Sequence, residues 1–230
     1  MYIDFWVGSR PSSDFSCRLL ASWSVEGASP SRTILQGQNG TAFSVFGTSI
    51  GLKTIKLPVH IVGRGPREAS LQHSQLTAAL LTSGIVELRL PDGFLYRAAL
   101  TGVGSRQEIT VDGGRISCEY TLQGLQCDEL ERRTVTDGAL YVSGTHPSMD
   151  CCLTATVEAA AEQYNMAGVT WHNVQPGDIL VLDGLRKRMT KNGTNAALEN
   201  DAAGWPKLAP GRNVLMCPDP LTVEYYPTYL

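Results

Sequence analysis

No two cysteines in this chain are spaced to share a metal. The six, Cys17, Cys118, Cys127, Cys151, Cys152 and Cys217, are scattered without a CxxC pair, whereas structural zinc sites need ligands clustered at short spacing. The phosphate-cradling P-loop, the dinucleotide-binding GxGxxG and the HExxH pair of zinc proteases are missing too. No metal and no cofactor is therefore expected. Positive charge is not in surplus: 19 Lys+Arg stand against 22 Asp+Glu, for a formal net charge of -3. With a pI near 5.8, this argues against a surface built to coat nucleic acid, which is normally basic. The short run Arg186-Lys187-Arg188 reads as a solvated turn or strand face. No stretch approaches the ~20 apolar residues that span a bilayer, so no membrane contact is expected. The opening Met1-Tyr2-Ile3-Asp4-Phe5-Trp6 lacks the basic start and apolar run of a secretory leader. Without export, Asn39-Gly40-Thr41 and Asn192-Gly193-Thr194 match glycosylation sequons only by chance and read as turns. In a reducing compartment the thiols are small buried hydrophobes, and Cys151 and Cys152, adjacent in a strand, point to opposite faces.

What is present describes a globular protein. Of 230 residues, 43% are hydrophobic and 18% charged, with a mean hydropathy of -0.08. One large β domain or two domains of about 100 residues fit that length. The 23 Gly and 12 Pro interrupt the chain often enough to favour many short strands.

The dominant period is two, that of half-buried strands. Ile55, Leu57, Val59 and Ile61 alternate with Thr54, Lys56, Pro58 and His60; the internal proline predicts an edge strand, because it cannot donate to a ladder on both sides. Ile116, Cys118, Tyr120 and Leu122 alternate with Ser117, Glu119, Thr121 and Gln123, and Ile109 and Val111 with Glu108 and Thr110. Asp112-Gly113-Gly114 between them supplies hairpin positions with φ > 0, and Pro91-Asp92-Gly93 joins Ile85–Leu90 to Phe94–Leu100 in the same way. One helix is predicted over Arg67–Thr82, with Leu71, Leu76, Ala79 and Leu80 on one side and Gly84 as its stop. The pattern weakens around Gly124–Gly144, where charge collects in Asp128, Glu129, Glu131, Arg132 and Arg133. A boundary there divides the chain into residues 1–130 and 131–230. Beyond it Leu153, Ala155 and Val157 oppose Thr154, Thr156 and Glu158, and Ala159-Ala160-Ala161 is compatible with helix or strand. Ile179-Leu180-Val181-Leu182, apolar on both faces, predicts a central strand; Lys191-Asn192-Gly193 is the strongest hairpin signal, and Leu221–Tyr226 alternates as a last strand. Short strands at this spacing indicate a β-sandwich.

Candidate chemistry fails on context. Gly47-Thr48-Ser49-Ile50-Gly51 matches the GxSxG of serine hydrolases, but that elbow needs a helix after the serine, and a β-patterned segment follows. His60 lies on the polar side of its strand and His73 within the helix, neither with a carboxylate spaced to orient it, so both read as solvated. His146, Asp150 and Cys151 hold the ingredients of a Cys-His pair, but such pairs usually converge from distant segments. Asp178 and Asp183 flank one strand about 16 Å apart at ~3.3 Å per residue, too far for a glycosidase pair, and read as turn or cap residues. Trp171 and Trp205 are weighed as sugar-stacking aromatics against core or interface anchors, the second being favoured. No catalytic, cofactor-binding or metal residue is assigned.

In order along the chain, Gly8-Ser9-Arg10-Pro11-Ser12-Ser13-Asp14-Phe15, Gly37-Gln38-Asn39-Gly40, the Arg67–Thr82 helix and the hairpin with Pro91-Asp92 and Tyr96 are followed by a more specific series. That series is Pro176-Gly177-Asp178, Val181-Leu182-Asp183-Gly184, Lys191-Asn192-Gly193-Thr194-Asn195, Trp205-Pro206-Lys207-Leu208, Pro210-Gly211-Arg212-Asn213 and Val223-Glu224-Tyr225-Tyr226-Pro227. The ordered set resembles the distal tail protein family of siphovirus-like bacteriophages over nearly the whole chain. The resemblance implies two β-sandwiches: an N-terminal one with a helix that forms a hexameric ring, and a galectin-like C-terminal one outside it. It implies a structural, non-enzymatic role at the virion tail tip after assembly in the host bacterial cytoplasm. The implied partners are the homo-hexamer itself, tail tube protein, tail-associated hub protein and tape-measure protein, with DNA only in passage through the channel. Some members carry an inserted carbohydrate-binding module, for which this chain has no room; a carbohydrate-binding host-adhesion module remains the alternative reading. The Thr54–Ile61 edge would serve cross-subunit packing, and Glu108, Asp112 or Glu119 would give the channel an acidic lining, since a basic one would retain phosphates.

Overall fold

In a computed structural model, residues 2–36, 42–82, 84–111 and 113–230 are described. The chain is mainly β, with a single α-helix among the described residues. It divides into two compact units, residues 1–126 with Leu230 and residues 127–229.

The first unit contains β1 (Tyr2–Ile3), β2 (Trp6–Val7), β3 (Arg10–Pro11), β4 (Cys17–Leu20), β5 (Ser24–Glu26), β6 (Pro30–Gln36), β7 (Phe43–Ile50), β8 (Lys53–Val62), α1 (Pro66–Leu81), β9 (Val86–Arg89), β10 (Leu95–Val103), β11 (Gln107–Glu108) and β12 (Arg115–Cys127). Its main sheet runs β1-β4-β8-β12-β10-β9-β2-β3, with β5 also on β8 and β11 on β12. The period-two expectation holds where it was clearest. Ile55, Leu57, Val59 and Ile61 of β8 and Ile116, Cys118, Tyr120 and Leu122 of β12 are all buried in one core with Phe5, Phe15 and Leu88. The turn expected at Pro91-Asp92-Gly93 closes β9 onto β10, with the Phe94 amide donating to Asp92 Oδ1 at 3.1 Å. β11 folds back on β12 through Gly113, although Asp112 of that turn lies outside the described residues and Ile109 and Val111 are exposed.

Two expectations are corrected. The β8 strand is interior, between β12 on one side and β4 and β5 on the other, so Thr54–Ile61 is no edge. Even-numbered β8 residues aim their amides at the β4 side, as the Val62 amide does in donating to the Ser16 carbonyl at 2.9 Å. Pro58 therefore lacks its N–H on the side where pairing is broken, between Leu19↔Val59 and Ser24↔Lys56. There the chain leaves the sheet at Ala21-Ser22, held by the Trp23 amide on the Leu20 carbonyl at 3.2 Å. A proline costs a central strand nothing where no acceptor stands opposite. The helix buries Ala69, Leu76 and Leu80, whereas Leu71 is 53% exposed. Residues 69, 73, 76 and 80 form the i, i+4, i+7, i+11 stripe, and Leu71 falls outside it.

The second unit contains β13 (Glu131–Val135), β14 (Ala139–Val142), β15 (Met149–Thr156), β16 (Ala161–Met166), β17 (Val169–Val174), β18 (Ile179–Asp183), β19 (Arg188–Lys191), β20 (Thr194–Asn195), β21 (Lys207–Leu208), β22 (Gly211–Val214), β23 (Leu221–Tyr225) and β24 (Thr228–Tyr229). Its larger sheet runs β13-β23-β15-β18-β19-β20, with β21 on β15. The ribbons β14–β22 and β16–β17 place Leu140, Val142, Tyr164 and Trp171 in the same core as Leu153, Leu180 and Val223. This is layered packing over one apolar interior. The segment after Val157, ambiguous in sequence, becomes strand from Ala161. As expected, β18 is interior; of its apolar residues Leu180 and Leu182 are fully buried, but Ile179 is 46% exposed.

Asn192 (φ 53°) and Gly193 (φ 81°) form the two-residue turn between β19 and β20, the paired left-handed geometry that an Asn-Gly hairpin favours. A Cβ at Gly193 meets nothing within 4 Å, so substitution there acts through the backbone alone. Gly193→Val should cost about 1–3 kcal/mol by forcing a β-branched residue to positive φ. Urea denaturation checks this, and an unchanged midpoint would refute the strain argument.

Candidate functional site

The structure removes the sequence's enzyme-like motifs one by one. Ser49 is an exposed residue near the end of β7, paired with Ser31 of β6, and strand β8 follows. No strand-to-helix elbow forms, so nothing presents its hydroxyl as a nucleophile. Cys151 is fully buried, and burial, then Cys152 and Asp150, push its thiol up to about 12. A thiol so placed offers almost no thiolate at neutral pH. His146 accepts the Ser148 amide on Nδ1 at 3.2 Å, while Asp150 accepts Lys187 at 2.9 Å and Lys207 at 2.5 Å. Burial acts to raise the Asp150 pKa, but the hydrogen bonds from Lys207 and Lys187 outweigh it and hold the carboxyl below its ordinary range. Asp178 and Asp183 both organise turns. Asp178 accepts the Gln175 amide at 2.8 Å, and buried Asp183 accepts the Arg186 amide at 2.9 Å and the Arg186 guanidinium at 3.2 Å, with Arg188 as a second ion-pair partner at 3.4 Å. Among the described residues no three His, Cys, Asp or Glu side chains are grouped to hold a metal.

The expectation that His60 and His73 are solvated is corrected. His60 is 7% exposed, because its strand is interior and neighbours on both sides cover it; burial, and then Arg115, lower its pKa. His73 stacks on Tyr120 with ring centroids 6.0 Å apart, and burial, then Arg106, lower its pKa. Trp171 is wholly buried. Trp205 is half-buried in a loop, with Lys187 Nζ 5.7 Å from its ring centroid, within cation–π range.

The feature with the most interaction potential is the β6–β7 hairpin, on which none of the apolar residues was singled out from the sequence. Among the described residues these strands pair only with each other, from Pro30↔Ile50 to Gln36↔Phe43. Every residue of β6 is exposed. Register puts Ile34, Val45 and Phe43 on one face and Leu35 and Phe46 on the other, and all five are at least 46% exposed. A free two-stranded ribbon is marginal in water, and one apolar on both faces marks an interaction surface. The available signal was two apolar clusters, Ile34-Leu35 and Phe43–Phe46, bracketing Gly37-Gln38-Asn39-Gly40. That turn motif lies outside the described residues.

No family model and no curated protein matches the chain by sequence. Solved structures do match its fold. The crystal structure of the phage SPP1 Dit protein, described as a paradigm of the hub adsorption apparatus in phages infecting Gram-positive bacteria, aligns with a TM-score of 0.70 at 13% identity over 100% of both chains. The phage P2 baseplate in its activated conformation aligns with TM-scores of 0.57 with calcium, at 9% identity, and 0.58 with strontium, at 10%, over 97% of each chain. What is shared at these identities is the architecture.

The burial pattern generates a reactivity test. Cys17, Cys118, Cys127, Cys151 and Cys152 are buried and only Cys217 is partly accessible. Native protein treated with iodoacetamide at pH 8 should gain at most one label, at Cys217, and all six in denaturant, read by intact mass. Rapid native labelling of Cys151 would restore the nucleophile excluded above.

Proposed function

We propose that this chain is a structural, non-enzymatic protein of a bacteriophage tail tip or baseplate, of the distal tail type. In this reading the first unit, residues 1–126, builds a hexameric ring between tail tube and hub, while the second, residues 127–229, is a galectin-like sandwich. The single observation that carries the reading is the end-to-end fold match to the SPP1 Dit protein, 100% of both chains at a TM-score of 0.70. Tail tube protein, tail-associated hub protein and tape-measure protein are the implied neighbours, at the virion tail tip.

The hairpin gives self-association a physical basis. With Thr54–Ile61 interior, cross-subunit packing falls to β6–β7, whose apolar side chains join neither core among the described residues, and a second copy is the occupant proposed. The acidic channel is part of this proposal. Of its expected carriers, Glu108 is paired with Arg106 at 3.0 Å, exposed Glu119 shares a sheet face with Arg115, and Asp112 lies outside the described residues.

A second reading, glycan binding by the second unit, is favoured by one observation: the half-buried Trp205 ring beside Lys187, the kind of aromatic platform on which sugars stack. Full-length chain bound on a glycan array, with binding abolished by Trp205→Ala, would support it.

The ring reading predicts a native mass near six times 24.9 kDa, in solution or after docking on tail tubes, with six copies per virion tail. Replacing Phe43 and Phe46 by Ser should abolish the assembly while leaving each unit's unfolding midpoint unchanged, because neither side chain belongs to a core. A monomer at every concentration together with three copies per virion would overturn the ring. An intact hexamer in the double variant would move the interface off the hairpin.

A further inference from the structure

The face of the first unit's sheet opposite its core is set by the same register that fills the core. Arg18 of β4 lies across from His60 of β8, and His60 across from Ser117 of β12; Val62 lies across from Arg115. These cross-strand partners share one face. Together Arg18, His60, Val62 and Arg115 line a depression of about 230 Å³. A second depression of about 340 Å³ continues along the same strands, lined by Pro58, Ser117 and Glu119, by Ser105 of the neighbouring loop and by Gln107 of β11.

The two depressions have opposite polarity. In the first, Arg18 has one counter-ion among the described residues, Asp4 at 3.5 Å, with both side chains more than half exposed. The Arg115 carbonyl accepts the Ile109 amide at 2.9 Å, but its exposed guanidinium makes no ion pair or hydrogen bond with any described residue. One cation there is left unneutralised. In the second, Glu119 is exposed, and the nearby Lys56 is already bound to Glu26 at 2.6 Å. Glu119 adds to the negative charge around Lys56 but has no ion pair of its own among the described residues. Four residues of extended strand separate Arg115 from Glu119, about 13 Å at ~3.3 Å per residue.

We propose that this groove docks an extended segment of a partner protein carrying a carboxylate and a cationic side chain four residues apart. The carboxylate seats between Arg18 and Arg115, the cation on Glu119, and the hydroxyls and amide of Ser105, Ser117 and Gln107 satisfy the intervening backbone. An Arg fork is the side chain suited to a carboxylate. A continuous polyanion such as a nucleic-acid strand fits poorly, because its next phosphates would meet Glu119 without compensation. Complementary charge across such a groove sets orientation and partner choice more than raw affinity.

The test uses the full-length ¹⁵N-labelled protein and the probe acetyl-Glu-Thr-Val-Thr-Lys-amide, followed by NMR at low and at physiological salt. Saturable shifts at residues 60, 62, 115, 117 and 119 are expected, weakening as salt is raised. Arg115→Gln should weaken binding at least fivefold, and so should Glu119→Gln; both side chains are exposed, and the rest of each spectrum reports that the variant is folded. A probe with Gln in place of Glu should bind at least fivefold more weakly. The proposal is overturned by the absence of saturable shifts, by equal binding of the Gln probe, or by indifference to Arg115→Gln. It is equally overturned if inorganic phosphate or a single-stranded oligonucleotide shifts these residues and the peptide does not.

Discussion

The ladder between β8 and β12 is the constraint on which the first unit hangs. Its ten cross-strand pairs run from Arg115↔Val62 to Gly124↔Lys53. Eight inward side chains, four from each strand, are at most 4% exposed. Each fully buried side chain of this kind contributes roughly 1.5–3 kcal/mol relative to exposure, so a one-residue slip would turn the whole set outward and leave no core. With the register fixed, β4 and β5 attach on one side and β10, β9 and β2 on the other. The outward set is fixed as well. Arg115, Ser117 and Glu119 sit where they do because Ile116, Cys118 and Tyr120 must face in.

The same constraint explains which parts of the fold were legible. Alternation is written locally, and a strand that buries one face must show it; β8, β12, β15 and β23 could all be read from the chain. Turn positions are local too: Gly93, Gly113 and Gly193 each have φ > 0 and stand where Asp or Asn precedes them in a hairpin connection. Neighbours in space are not written locally. Pro58 announces a missing donor but not the side on which it is missing, and the sheet meets it with a break between β4 and β5. His60 shows a polar residue on the outward side of a strand, but not that its strand is central and its neighbours bulky.

Functional residues were harder to read for a related reason. An apolar residue in a short strand has the same signature whether its partner is its own core or another molecule. Ile34, Leu35, Phe43, Val45 and Phe46 look like core in the sequence and are surface in the structure. What separates the two cases is that, among the described residues, no third strand lies beside β6 and β7. The enzyme-like motifs fail in the opposite direction. GxSxG at residues 47–51 and the His146–Cys151 stretch are visible as strings, but their chemistry needs an elbow or a reactive thiolate, and neither accompanies them.

Fold agreement at 13% identity follows from what is being specified. The core needs apolar side chains at alternate positions, the hairpins need residues tolerant of positive φ, and α1 needs a stripe at helical spacing. Each requirement names a class of residue and leaves its identity open. The outward positions of the same strands are not bound even by class, because water accepts nearly any polar side chain there. A chain can therefore keep this architecture from end to end while the chemistry it presents to partners, at the β6–β7 ribbon and along the Arg115–Glu119 groove, is its own.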